Sequence, residues 1–324
     1  MNDRNFPKVY AVIHKDENVR RESRSGGVFT ALSDQVLKRN GVVYGVVLRN
    51  NILAEHTRAI DSAGRDAMRG SKYIQSSTKN TFKEVQADLL EGKSVLYTGT
   101  SCQIAGLKEF LKNAKQENLY CIDIVCHGVP SPIIWKDYVH FLEKKLKSTC
   151  TNVDFRDKKT FGWTAHYETL TFRSNLFRWE RKYHSDIFKK LFYDHYTLRP
   201  SCYKCPYKSI AHPGDITIAD YWGIQKAAPE LYDNKGISLV LINNEKGQEL
   251  FESIKPYVIF KPTKIEDSMQ PPLTAPFAEP TDRAFFWEDY HAMPFGRLLN
   301  KYVKNKGIRG FFHRLSIMKK ALHS

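Results

Sequence analysis

Between residues 8 and 147, short apolar runs alternate with stretches of helical periodicity, and this alternation constrains the fold more than any other feature of the chain. "KVYAVIH" (8–14) leads through a Gly-Gly turn into "VFTALSDQVLKRNG", where Phe29, Leu32, Val36 and Leu37 recur at helical spacing until Gly41 stops them. "VVYGVVL" (42–48), a helical stretch at 79–91, "SVLYTGT" (94–100), a helix near 103–113 and "LYCIDIVCHG" (119–128) follow. Strands separated by helices predict an α/β fold with a mixed, largely parallel N-terminal sheet. In "GVPSPIIWKDYVHFLEKKLK", Pro132 near the start and the periodic Trp135, Tyr138 and Leu142 predict a closing helix.

Beyond about 150 the pattern becomes β-rich. "TNVDFRD", "YETLTFR", "GDITIADYWG" and "ISLVLINN" read as strands, and "EKGQELFESIK" as a helix. Residues 261–296 carry six prolines and read as a surface wrap. The expected organisation is therefore an N-terminal α/β domain (1–147), a β-rich C-terminal domain (148–260), and a Pro-rich wrap with a basic helical tail (261–324).

The formal charge is +15, and the segment 297–324 alone carries eight Lys/Arg and no Asp/Glu. Its basic residues are interleaved with Leu298, Leu299, Tyr302, Phe311 and Phe312, a pattern that suits a helix docked on its own domain or one lying on anionic lipid. The docked helix is the simpler reading, since ordinary amphipathic helices look the same. No zinc-finger spacing, RNP-type strand or helix-turn-helix signature accompanies the charge, so nucleic acid is not an expected partner. The N-terminus shows no signal-peptide h-region, and there is no apolar run of about 18 residues. A cytoplasmic protein is expected, with 297–324 available for peripheral contact at the inner face of the membrane.

Six cysteines in 324 residues are too sparse for a disulfide scaffold and favour metal or redox use. Cys202 and Cys205 form a CxxC in "SCYKCPYKS", which supplies half of a four-coordinate site. Cys102 and Cys126 each follow the C-terminal end of a predicted strand, where open α/β sheets place functional loops. Cys121 lies within its strand on the face opposite Cys126 and reads as core, and Cys150 as incidental. The proposed centre is Cys102, Cys126, Cys202 and Cys205, joining the N-terminal sheet to the C-terminal half. Both zinc and a [4Fe-4S] cluster accept four thiolates. Pro206 directly after Cys205, and the lack of paired CxxC knuckles, tilt the reading toward iron and sulfur; the alternative is a non-catalytic zinc-stapled protein that docks to a membrane or to biosynthetic enzymes.

Six blocks, "SRSGGVFTAL", "RGSKYIQSS", "YTGTSCQIAGL", "DIVCHGVPSP", "RPSCYKCPYK" and "GDITIADYWGI", occur in an order that resembles the coenzyme F(420) hydrogenase/dehydrogenase beta-subunit family over roughly 7–255. Within it the chain looks closest to bacterial members associated with surface-polysaccharide synthesis. The resemblance implies an oxidoreductase with FAD beside an iron-sulfur cluster, and makes residues 1–147 the FAD-binding part. Ser25, Gly26 and Gly27 are then a turn before a helix that can hold the FAD diphosphate, with Thr30 just inside that helix. Arg69, Gly70, Ser71, Lys72 and Tyr73 are a second contact, a charged clamp with an aromatic beside it. Thr98, Gly99, Thr100 and Gln103 surround Cys102, so one loop could touch flavin and ligate the cluster.

His127 and Lys208 are the candidate catalytic groups, His127 as a proton donor and Lys208 as a group that tunes the cluster. Asp220 and Trp222 fall in a matching block, with a salt bridge and a core position as their plainer readings. Many bacterial relatives begin with a ferredoxin-like segment bearing CxxCxxCxxxCP runs, and none precedes "FPKVYAV". The expected electron partner is therefore a separate ferredoxin-like protein or a reduced deazaflavin, coenzyme F(420), as diffusible hydride carrier. A sugar or lipid-linked glycan intermediate is the expected final substrate.

Overall fold

A computed structural model describes residues 6–174 and 179–303. Eleven strands occur in chain order: β1 (Lys8–His14), β2 (Val42–Arg49), β3 (Leu53–Ala59), β4 (Val95–Thr100), β5 (Leu119–Ile124), β6 (Thr149–Asp154), β7 (Glu168–Ser174), β8 (Trp179–Ser185), β9 (Ile216–Asp220), β10 (Ser238–Ile242) and β11 (Val258–Thr263). Eight of them form one sheet in the order β11-β1-β10-β9-β5-β4-β2-β3, and β6-β7-β8 form a separate small sheet. The class is α/β, as the alternation predicts. β2, β4, β5 and β9 run parallel in the middle of the large sheet, and antiparallel strands extend it at both ends.

The central strands begin as apolar runs because both faces of the sheet are covered there, and they become polar and less buried toward their C-terminal ends. On one face Val43, Leu96 and Ile122 pack against Val28, Leu32 and Val36 of the helix Val28–Lys38. On the other, Val42, Tyr44, Tyr97 and Cys121 pack with Ile104 and Leu107 of the helix Ser101–Phe110. Successive residues point to opposite faces of a strand, so Cys121 goes to the core.

The boundary expected at 147 does not divide the sheet. β9 pairs with β5, and β10 and β11 flank β1, so the first strand of the chain is held between two of the last. The physical reason is β10, whose five residues Ser238–Ile242 are all buried and so need covered faces and a neighbour on each edge. The expected β-rich domain is thus two things: an excursion (β6–β8) outside the large sheet, and three strands that complete it. β3, β8 and β11 were not predicted. Each lies at an edge of its sheet, and β8 carries Glu180, Arg181 and Lys182 on an exposed stretch, which blunts edge pairing but conceals a strand from pattern reading.

The C-terminal wrap also holds more structure than its prolines suggest. The helix Arg283–Ala292 buries Phe286 completely, stacked on Tyr196 at 5.3 Å, and the helix Phe295–Tyr302 buries Leu298 and Leu299. These join Trp135, Tyr138 and Leu142 of the helix Pro132–Leu146 in one apolar cluster. The first part of the basic tail is therefore a docked helix. The rest, 304–324, and with it most of the expected lipid-facing segment, lies outside the described residues. Among the described residues no helix is long and apolar enough to cross a membrane.

Replacing Phe286 by Ala should cost about 3–5 kcal/mol of stability in urea denaturation, whereas Phe285→Ala next to it, where the ring is 62% exposed, should change the midpoint little.

Candidate functional site

The C-terminal ends of β4, β5 and β9 lie side by side. Thr100 stands opposite Ile124, and Ile124 opposite Ile218. Two residues beyond each comes a group with chemistry to offer: Cys102, Cys126 and Asp220. Cys102 opens the helix Ser101–Phe110, whose start is fixed by a capping box between Thr100 and Gln103. Cys126 follows Val125, whose N–H donates to Ile218 O at 3.1 Å.

The CxxC reaches them through backbone pairing. Ser131 N–H donates to Thr197 O at 2.8 Å and Arg199 N–H to Val129 O at 2.9 Å, so residues 197–199 are laced to the loop that follows Cys126. Gly128, at φ +138°, lets Leu198 close over that loop; a Cβ there would lie 3.0 Å from Leu198 Cδ1. Cys202 and Cys205 follow on a 3-10 turn, Pro200–Lys204.

The four thiols act on one another electrostatically. Burial pushes the Cys126 thiol up to about 12, opposed by Lys208 and by the Gly128 N–H, and reinforced by Cys202 and Cys102. Burial also raises Cys202, opposed by the Val129 N–H, with Cys102 and Cys205 adding to the rise. Cys121 and Cys150 lie in separate apolar clusters. Among the described residues, no group of three or more His, Cys, Asp or Glu side chains is placed to hold a metal ion. What fits a thiolate-bound group is the chemistry of the donor set, four cysteines with the thiolate form favoured by the Gly128 N–H at Cys126 and by the Val129 N–H at Cys202.

Lys208 is buried, donates to the Cys126 carbonyl and lies over the Phe277 ring at 5.1 Å. It braces the Cys126 loop. His127 stacks on Phe277 at 4.0 Å and shares a 2.8 Å hydrogen bond with His195, Nε2 to Nε2. Burial, with help from His195 and Lys208, lowers the His127 pKa to about 3, so the pair holds a single proton between the two Nε2 atoms.

A cavity of about 240 Å³ opens nearby, lined by Arg21, Arg24, Arg69, Lys72, Arg156, Lys158 and Lys159 against the acids Glu22 and Asp154. Gly70 and Ser71 also line it, and nothing lies within 4 Å of where a Gly70 Cβ would stand. Glu22 is already paired with Lys159 at 2.5 Å. Lys158 gives its protons to the carbonyls of Arg20 and Ser25, and Lys72 to those of Met68 and Arg69. Burial brings both ammonium groups down to about 7. The buried Nε of Arg24 has no hydrogen-bond partner. Arg69 pairs with Asp66 at 2.8 Å and Arg156 with Asp220, which leaves Arg24, Lys72 and Lys158 with no carboxylate partner among the described residues, and buried cations so placed call for an anion.

The expected diphosphate turn is only partly available to such an anion. Gly26 N–H donates to Ser238 Oγ at 2.9 Å and Ser25 Oγ to Ile237 O at 2.6 Å, so both tie the turn to β10 instead. A Cβ on Gly26 would fall 2.1 Å from Val12 O, which is why glycine stands there. Gly27, at φ +93°, starts the helix, and Thr30 Oγ1 accepts from Arg69 Nε at 3.1 Å, linking the two expected contact regions. Tyr73 turns away from the cavity into an adjoining aromatic pocket with Phe155, Phe192 and Tyr193.

Sequence reading missed Arg24, Arg156, Lys158 and Lys159 as cavity residues. The basic run in "DFRDKKT" was the available signal, but nothing in it shows that it faces Arg69 and Lys72. Asp220 makes the salt bridge of its plainer reading: it pairs with Arg156 and accepts from Trp163 Nε1 at 2.6 Å. Trp222 stacks on Trp163 at 5.0 Å with Arg156 over its other side at 4.9 Å.

The family described as the C terminus of the coenzyme F420 hydrogenase/dehydrogenase beta subunit matches residues 92–267, a stretch that contains all four gathered cysteines. The chain belongs to this family. The family takes its name from a subunit of oxidoreductases. A chain of the F420-reducing [NiFe] hydrogenase complex from Methanosarcina barkeri, in a xenon-derivatized structure, shares the fold at a TM-score of 0.52 and 16% identity, over 81% of this chain and 85% of that one. No curated protein matches.

Pyrophosphate should bind the basic cavity, and more weakly as pH rises from 6 to 8. Lys72 and Lys158 are both charged below about 7 and lose that charge above it. Titration calorimetry across that range should show the decline, accompanied by proton uptake on binding at the upper end. Lys158→Gln should weaken binding at pH 6 and flatten the pH dependence.

Proposed function

We propose that this member of the coenzyme F420 hydrogenase/dehydrogenase beta-subunit family is an iron-sulfur flavoprotein oxidoreductase. In this reading Cys102, Cys126, Cys202 and Cys205 hold a [4Fe-4S] cluster, and the basic cavity holds the diphosphate of FAD. The observation that carries it is that Cys102 and Cys126 follow the ends of the paired strands β4 and β5, while backbone bonds lace the segment leading into the CxxC to the loop after Cys126. At about 240 Å³ the cavity is smaller than the roughly 300–1,000 Å³ of a whole ligand pocket, which suits the phosphates of a dinucleotide better than all of it.

Together, a flavin exchanging one or two electrons and a cluster passing one at a time can split or assemble a hydride equivalent. The chain's own residues prepare for this. The Gly128 and Val129 N–H groups favour charge on the sulfurs of Cys126 and Cys202, as does Lys208 at Cys126 and Cys202, although burial lowers the pKa of its own ammonium group. Arg24, Arg69, Lys72 and Lys158 hold the diphosphate. His127, on the loop that bears Cys126 and joined Nε2 to Nε2 with His195, is the chain's candidate for proton transfer; with both rings neutral at rest, the pair must take up a proton before it can pass one to reduced flavin or substrate.

The electron partner in this reading is a deazaflavin of the F(420) type or a ferredoxin-like protein. The organic substrate is a sugar or lipid-linked glycan intermediate of surface-polysaccharide synthesis, with the protein in the cytoplasm and the tail beyond 303 available to the membrane.

Anaerobic purification should yield a brown protein with acid-labile sulfide and releasable FAD. Single replacement of Cys102, Cys126, Cys202 or Cys205 by Ser should remove most of the iron, while Cys121→Ser and Cys150→Ser retain it. A colourless protein carrying one zinc, or equal iron in all six variants, would overturn the assignment.

A further inference from the structure

Of the four gathered cysteines, Cys102 is the most exposed, and its sulfur lies 3.2 Å from the Thr100 hydroxyl. That hydroxyl has a second neighbour, Gln103 Oε1 at 3.1 Å, which also accepts the Thr100 N–H at 3.0 Å. The orientation of Gln103 is set some distance away, on β3. His56 is buried there, its ring stacked on Tyr97 at 5.2 Å and 9°. Its Nε2 lies 3.0 Å from Thr98 O. A carbonyl can only accept, so Nε2 carries the hydrogen, and Nδ1 is left as an acceptor.

Ser76 Oγ, 3.3 Å from Nδ1, is therefore the donor to it, and its lone pairs are free to take Gln103 Nε2 at 3.0 Å. The chain His56–Ser76–Gln103 has one hydrogen sense, and it ends with the Gln103 carbonyl oxygen facing Thr100. That oxygen keeps the Thr100 N–H whichever way the hydroxyl turns. The hydroxyl can thus be given to sulfur without leaving an acceptor stranded.

We propose that Thr100 donates its hydroxyl hydrogen bond to the Cys102 sulfur when that sulfur is a ligand, held in place by His56, Ser76 and Gln103, and so raises the reduction potential of the centre. This rests on the four-thiolate reading above. A hydrogen bond to a ligating sulfur withdraws negative charge, and therefore favours the reduced state, which carries one electron more. Thr100 also caps the helix Ser101–Phe110, a role that on its own would leave the potential where it is.

The experiment compares the wild-type chain with Thr100→Val, Thr100→Ala and Thr100→Ser, measuring iron and sulfide per chain and the midpoint potential by redox titration followed by electron paramagnetic resonance. The valine and alanine variants should keep their iron and show a more negative potential, by about tenfold or less in the one-electron equilibrium, up to about 59 mV. Thr100→Ser should match the wild type. Unchanged potentials in both hydroxyl-free variants overturn the proposal, as does loss of iron from both while Thr100→Ser retains it, because the hydroxyl would then hold the ligand rather than tune it. A wild-type chain without iron would instead bring down the four-thiolate reading itself, an outcome read before any variant is compared.

Discussion

The parallel pairing of β4, β5 and β9 is the constraint on which the rest of this structure depends. It sets Thr100, Ile124 and Ile218 in one row, so that the residues just beyond, Cys102, Cys126 and Asp220, emerge together. Carboxyl ends of neighbouring parallel strands are where an open sheet can present several loops to one point. A one-residue slip of β5 against its neighbours would send Cys126 to the face now occupied by Cys121, and the proposed four-cysteine centre could not form.

Two further contacts turn that row into a site. The backbone bonds from 197–199 to the loop after Cys126 bring the CxxC within electrostatic reach of the other two thiols. The buried pair of Arg156 and Asp220, backed by the Trp163–Trp222 stack, ties the small sheet's excursion to the end of β9. Arg156 and Lys158 thereby face Arg69 and Lys72 across the basic cavity. Asp220, although largely buried, stays below the usual carboxylate range: burial alone would raise it, and Arg156 and Arg24 outweigh that effect.

Much of this was legible in the residues. Continuous apolar runs such as "VVYGVVL" and "SVLYTGT" reveal strands buried on both faces, and the cysteines beyond strand ends could be separated from Cys121 by the two-residue period alone. The edge strands were not legible, because a strand with one face in water, such as "WERKYHS", has no apolar signature. How far Ser25 and Gly26 are free to hold a diphosphate is illegible for a related reason. A small-residue turn before a helix has the same appearance whether its donors are free or, as here, bonded to Ser238 and Ile237 more than two hundred residues away.

By itself the sequence determined the α/β class and the family, and singled out four cysteines as candidates, since periodicity, spacing and motif order are local properties of the chain. Tertiary structure alone decided that β9–β11 complete the first sheet, that "DFRDKKT" faces "RGSKY", and that His56 orients Thr100 through Ser76 and Gln103. These depend on which donor meets which acceptor across the fold. Long-range pairing is selected by the joint burial of many residues, and no single stretch of sequence records it.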